Sequence, residues 1–161
     1  DKDISEVEFE VPVLLAKNVK GSFNNIEGYV ELDLINKNLN KAIFSVDIKS
    51  LEINYNKYLE LIFSDVFFAV EKYPLAVIDT KNFTYNNQNK FKLEAELTIK
   101  GNSEMIPINI EINKYSDDFV QILVDFQFLR SDYMIGNDIW SNTSILKDEI
   151  VIKTNIFLYK E

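Results

Sequence analysis

Arg130 is the chain's only arginine, and no histidine or cysteine stands anywhere to work beside it. A hydrolytic triad of the usual kind needs a histidine base. Thiolate nucleophiles, disulfides and cysteine-ligated metals all need sulfur. Glycoside hydrolysis needs only two carboxylates at a set separation, and 26 acidic residues supply many accidental pairs. Asp132, Asn137 and Asp138 offer oxygen ligands without the spacing of a calcium-binding loop. Only four glycines are present, none clustered, so there is no glycine-rich phosphate loop. Asn82-Phe83-Thr84 and Asn142-Thr143-Ser144 match glycosylation acceptors, a triplet that also arises by chance. Enzymatic activity, a cofactor and a metal are therefore not expected. Arg130 stays charged at any ordinary pH, and burying it unpaired is costly. It must sit at an opening, pair with a carboxylate such as Asp132 or Asp125, or meet an anionic ligand.

The elements that position these residues are legible in a period of two. Glu6, Glu8 and Glu10 interleave with Val7, Phe9 and Val11, and Phe91, Leu93, Ala95, Leu97 and Ile99 alternate with Lys92, Glu94, Glu96, Thr98 and Lys100. A strand that buries one face and wets the other reads this way. The glutamates at 6, 8 and 10 are then the wet side of a strand, with an acidic docking patch as the alternative. Strands are expected over 5–13, 19–24, 27–35, 41–53, 75–85, 90–100, 105–114, 118–130 and 148–159. Turn-like separators divide them at Asn24-Asn25, Asn36 to Asn40, Asn86 to Asn89, Gly101-Asn102 and Ser116 to Asp118. Short polar turns make consecutive strands antiparallel. The expected fold is all-β, an antiparallel barrel of about eight strands in a single domain over residues 1–161.

One segment breaks the period. Leu59, Ile62, Phe63, Val66, Phe67 and Val70 recur at spacings of three and four between Asn56 and Tyr73, the stripe of a short amphipathic helix ended by Tyr73-Pro74. Such a helix plugs the core or caps an open end, or else offers its stripe to a partner.

The inner face collects Val7, Phe9, Val11 and Val13; Val30, Leu32 and Leu34; Ala42, Phe44, Val46 and Ile48; and Ala76 and Ile78. It continues with Leu93, Leu97 and Ile99, then Ile106, Ile108, Ile110 and Ile112, then Val120, Ile122, Val124, Phe126 and Phe128, and last Ile150, Ile152, Ile156 and Leu158. An eight-stranded barrel is wide enough to be filled by its side chains or to hold one small ligand, and this set suits either. Arg130 continues the inward phase of Phe126 and Phe128. A net charge of −9 argues against a nucleic-acid partner, which requires a basic face, and disfavours adsorption to anionic membranes. No apolar run approaches the ~20 residues that span a bilayer, so stable membrane insertion is not expected. The first residue, Asp1, is not methionine; a processed or trimmed end accounts for it, and a removed export signal would leave such an end.

Ser5-Glu6-Val7-Glu8-Phe9-Glu10-Val11 opens an ordered series of motifs. Asn18-Val19-Lys20-Gly21-Ser22-Phe23 with Gly28, the stretch from Asp65 to Pro74 with its paired phenylalanines before tyrosine-proline, Leu97-Thr98-Ile99-Lys100-Gly101, and Leu129 to Gly136 with its arginine-serine-aspartate-aromatic run continue it. In that order the motifs resemble the YceI-like family of polyisoprenoid-binding, lipocalin-like bacterial proteins, the first being similar to its opening strand. Three places depart from the family's pattern. Asn56-Lys57-Tyr58-Leu59-Glu60-Leu61 replaces a stretch with arginine, aspartate and histidine, Gly136 is displaced by Met134-Ile135, and Ile4-Ser5 stands where a histidine is common. The resemblance implies an extended lipocalin-like barrel with a long apolar channel, export to the periplasm, and a non-catalytic carrier of a long-chain isoprenoid or other amphiphilic lipid such as a quinone precursor or fatty amide. Phe9, Val11, Phe44, Val46, Leu97, Ile99, Ile110, Phe126, Phe128 and Ile152 would line the channel. Phe67, Phe68 and Tyr73 would form or gate one end, and Arg130 with Tyr133 would supply the polar end. Edge strands and the helix leave room for a homodimer. The rivals are a filled barrel acting as a structural or interaction domain, and a carboxylate enzyme with two acids facing the channel.

Overall fold

The computed structural model describes residues 4–13, 18–33 and 38–160. Ten antiparallel strands form a single curled sheet in the order β3-β4-β6-β7-β8-β9-β10-β1-β2-β5. They are β1 (Glu6–Val11), β2 (Val19–Phe23), β3 (Ile26–Glu31), β4 (Asn40–Asp47), β5 (Leu51–Ile53), β6 (Leu75–Phe83), β7 (Lys90–Ile99), β8 (Asn102–Lys114), β9 (Phe119–Leu129) and β10 (Glu149–Tyr159).

The nine expected strands become ten through one unexpected bend. Only Asn24 and Asn25 separate β2 from β3, and a 3₁₀ turn over Ile48–Ser50 splits the expected strand 41–53 into β4 and β5. The two bent strands run side by side, with Phe23 opposite Leu51 and Ile26 opposite Val46. The Asp47 amide donates to the Asn25 carbonyl and the Asn25 amide to Ser50 Oγ, at 3.0 and 3.1 Å, across the bend. The end strands of the sheet are thus joined through one bent hairpin, which curls the sheet round its apolar face.

Alternation along the strands sorts the faces as the pattern requires. Val7, Leu97, Ile99, Ile106, Ile108, Ile150, Ile152 and Ile156 are buried in one core cluster, and Ala95 is fully enclosed. Outside, Lys81 bridges Asp79 on its own strand and Glu96 on the next, at 3.1 and 2.8 Å, and Lys90 meets Glu111 at 3.0 Å. Leu32 does not join the inner face: it lies beyond the end of β3 and is half exposed. Asp1 and Leu34 lie outside the described residues.

The expected helix is shorter than its stripe. A 3₁₀ turn over Asn56–Tyr58 leads into α1 (Leu59–Phe63), and turns follow to Tyr73. The amides of Phe68, Ala69 and Val70 reach back to Ile62, Ser64 and Phe63, with Ala69 in the left-handed region (φ 51). Apolar spacing of three and four serves a chain folded tightly over a barrel end as well as it serves a helix. Beside it, Lys100 and Gly101 both have positive φ and link β7 to β8 as a two-residue hairpin, the geometry of a type I′ turn. A Cβ on Gly101 would lie 2.8 Å from the Tyr73 ring, so only glycine admits Tyr73 there. Among the described residues no helix is long and apolar enough to cross a membrane.

Candidate functional site

The curled sheet encloses a cavity of about 450 Å³, within the size range of small-molecule sites. Its walls come from the inward phase of β1, β2, β4, β6, β7, β9 and β10. Phe9 and Val11, Phe44 and Val46, Leu97 and Ile99, Phe126 and Phe128, and Ile152 all line it, joined from the turn region by Phe67 and Phe68 and at one end by Arg130. A hollow interior, rather than a filled one, is therefore what these side chains enclose. Apart from Tyr55, Lys57, Tyr58, Arg130 and Thr154, every described lining residue is an aliphatic or aromatic one, and no aspartate or glutamate is among them.

Three expected residues stand elsewhere. Tyr73 packs on the Gly101 turn, with the Lys72 ammonium 5.0 Å from its ring centre. Ile110 lies on the inward face of β8 opposite Phe91 and Val124, where it packs against the core instead of an open space. Tyr133 is no polar end for the channel. It is fully buried, edge-on to Phe128 at 5.2 Å, and its carbonyl accepts from Asn102 at the start of β8. Its hydroxyl has no hydrogen-bond partner, and burial pushes its pKa up to about 12, so it stays neutral at any ordinary pH.

Arg130 is 2% exposed and pairs with neither Asp132 nor Asp125. Its Nε donates to the Lys147 carbonyl at 3.0 Å. Nη1 donates to Ile135 and Gly136 at 2.8 and 3.2 Å, and Nη2 to Trp140 and Leu146 at 2.7 and 2.8 Å. These five bonds use all the donors a guanidinium has. Burial holds its pKa below the usual arginine value, opposed by the nearby charge of Asp148. The side chain is thus a clamp that gathers the carbonyls of the loop between β9 and β10 over the end of the barrel. Gly136 is part of the clamp: at φ +78, a Cβ there would lie 2.7 Å from Nη1.

Sequence reasoning missed the loop residues Ile135, Trp140 and Leu146, and the trio Tyr55, Lys57 and Tyr58. No period runs through either segment, so nothing assigned them a face. The lone tryptophan, whose ring meets Phe67 at 5.9 Å, was the available signal. Thr154 keeps the inward phase of Ile152 and Ile156 and was hidden by its polarity; its hydroxyl accepts from the Val124 amide at 3.1 Å.

A family model described as the YceI-like domain matches residues 1–158. A UPF0312 protein of Vibrio cholerae is 26% identical over 107 residues, 66% of this chain and 57% of that protein. The chain thus spans less than two thirds of that relative's own length. Among solved structures, BcnA of Burkholderia cenocepacia superposes with a TM-score of 0.86 at 22% identity, over 98% of each chain. A polyisoprenoid binding domain from Saccharophagus degradans superposes with a TM-score of 0.79 at 12% identity, over 100% of this chain and 97% of that one. Identities this low speak for the fold alone.

Proposed function

The chain belongs to the YceI-like domain family, and we propose that it is a non-catalytic carrier, built as one domain, that holds a single long apolar chain in its cavity. A polyisoprenoid, a quinone precursor or a fatty amide has the required tail. The observation that carries this reading is the lining: hydrocarbon on nearly every side, in a chain whose net charge is −9. The description of the Saccharophagus neighbour as polyisoprenoid binding supports it. No acidic side chain is among the described lining residues, which counts against a carboxylate pair facing this cavity. The periplasm is the compartment we assign, in keeping with the family resemblance, and a homodimer is proposed on the same footing.

Dehydration of the tail drives binding. Each buried methylene contributes about 0.8 kcal/mol, so ten contribute roughly 8 kcal/mol, the scale of a micromolar complex before the cost of immobilising the ligand. No strong polar contact is needed. A displacement assay with straight-chain alcohols of increasing length checks this. Affinity is expected to rise by up to about fourfold per added methylene and then level off once the tail fills the cavity. Affinity independent of length would overturn the carrier reading.

A further inference from the structure

We propose that the cavity prefers amphiphiles with an anionic head, held at its opening by Lys57, and turns away cationic ones; this rests on the carrier reading. The first observation is a charge asymmetry. The chain carries 26 acidic residues, yet the only ionisable side chains of full charge among the described lining residues are the two cations Arg130 and Lys57. Lysines 20, 41, 49, 81, 90 and 114, by contrast, each stand against a carboxylate away from the cavity.

Arg130 supplies field without contact. Its N–H groups are all taken by backbone carbonyls, which satisfy its hydrogen bonds and leave no carboxylate in contact with it among the described residues; the nearby charge of Asp148 offsets its positive charge only in part. Against apolar walls such a charge is weakly screened. It makes the interior favourable for a negative group and unfavourable for a positive one, while donating nothing to either.

Lys57 supplies the contact. Lys57 and Tyr58 are the only described lining residues that are themselves exposed, which places them at the opening. The Lys57 ammonium lies 5.0 Å from the centre of the Tyr58 ring and enters no ion pair among the described residues. Tyr55 stands edge-on to Tyr58, ring centres 6.1 Å apart, so two phenols border the same opening. A carboxylate or phosphate at the end of a buried tail would meet an ammonium with three donors and the hydroxyls beside it, and charge-assisted bonds of this kind are stronger than neutral ones.

The test uses three probes with one sixteen-carbon tail, hexadecanoic acid, hexadecanol and hexadecylamine, each titrated below its aggregation concentration at pH 8. The wild-type protein is expected to bind the acid about threefold to tenfold more tightly than the alcohol, and the amine most weakly. Lys57→Gln should bring the acid-to-alcohol ratio close to one, and Lys57→Glu should place the acid below the alcohol. Circular dichroism establishes that both variants are folded. Equal binding of acid and alcohol by the wild type, or a preference that survives Lys57→Glu, overturns the headgroup assignment while leaving the carrier intact. Failure of all three probes to bind overturns the carrier reading and this proposal with it.

Discussion

Arg130→Lys is expected to lower stability by about 3–5 kcal/mol and the thermal midpoint by about 10 °C. Lysine keeps the charge but has three donors in place of five and no planar fork. At least two of the carbonyls of Ile135, Gly136, Trp140, Leu146 and Lys147 then lose their partner. The lost bonds lie beneath 2% exposure, where water cannot replace them. Thermal unfolding followed by circular dichroism reads the change directly. A shift below about 2 °C would mean that the guanidinium does not hold the loop, and that its charge is kept for some other reason.

The second large effect is on ligand retention. Phe126→Asp is expected to abolish it, with affinity for a long-chain alcohol falling at least about 100-fold. Phe126 faces the cavity from β9 opposite Ile152 on β10. The substitution removes a ring from the tail's wall and puts a carboxylate among hydrocarbon groups, where it stays ionised only by drawing water in. Because a buried charge also threatens folding, Ala76→Trp serves as a second variant: Ala76 lines the same cavity, and an indole there occupies the tail's space without adding charge. Both are expected to keep the far-ultraviolet spectrum of a β protein and to lose the lipid. A folded Phe126→Asp protein that still retains lipid would place the ligand elsewhere.

How much of this was legible in the sequence depends on what kind of interaction held each part. Strands such as Lys90–Ile99 and Glu149–Tyr159 announce themselves because one face is wet and the other dry. The same alternation put Phe9, Phe44, Leu97, Phe126 and Ile152 on one surface, and they do enclose one space. The bend at Asn24-Asn25 was legible as a polar separator, whereas the one at Ile48–Ser50 stayed hidden because apolar residues flank it on both sides, so the pattern runs on through. Alternation also has no length scale: it places Ile110 on the inner face without saying whether that part of the barrel is open or packed.

The partners of Arg130 were out of reach for a different reason. A search for a buried cation's partner looks to carboxylates, which have a signature, whereas the five acceptors here are backbone carbonyls, which every residue has. Tyr133 was misplaced with it, since its neighbour's charge suggested a polar end where the chain instead buries an aromatic plug. Lys57 could be located as a departure from a family pattern, but its place at the opening follows from a 3₁₀ turn that no period foretells.

Native mass spectrometry of the freshly purified protein, followed by organic extraction and identification of the lipid, tests the carrier most directly. The account predicts one hydrophobic adduct per chain, lost on extraction and regained on incubation with a long-chain isoprenoid. A clean mass for the bare chain, unchanged after incubation with isoprenoids and fatty amides, would contradict it and make the barrel a structural or interaction domain.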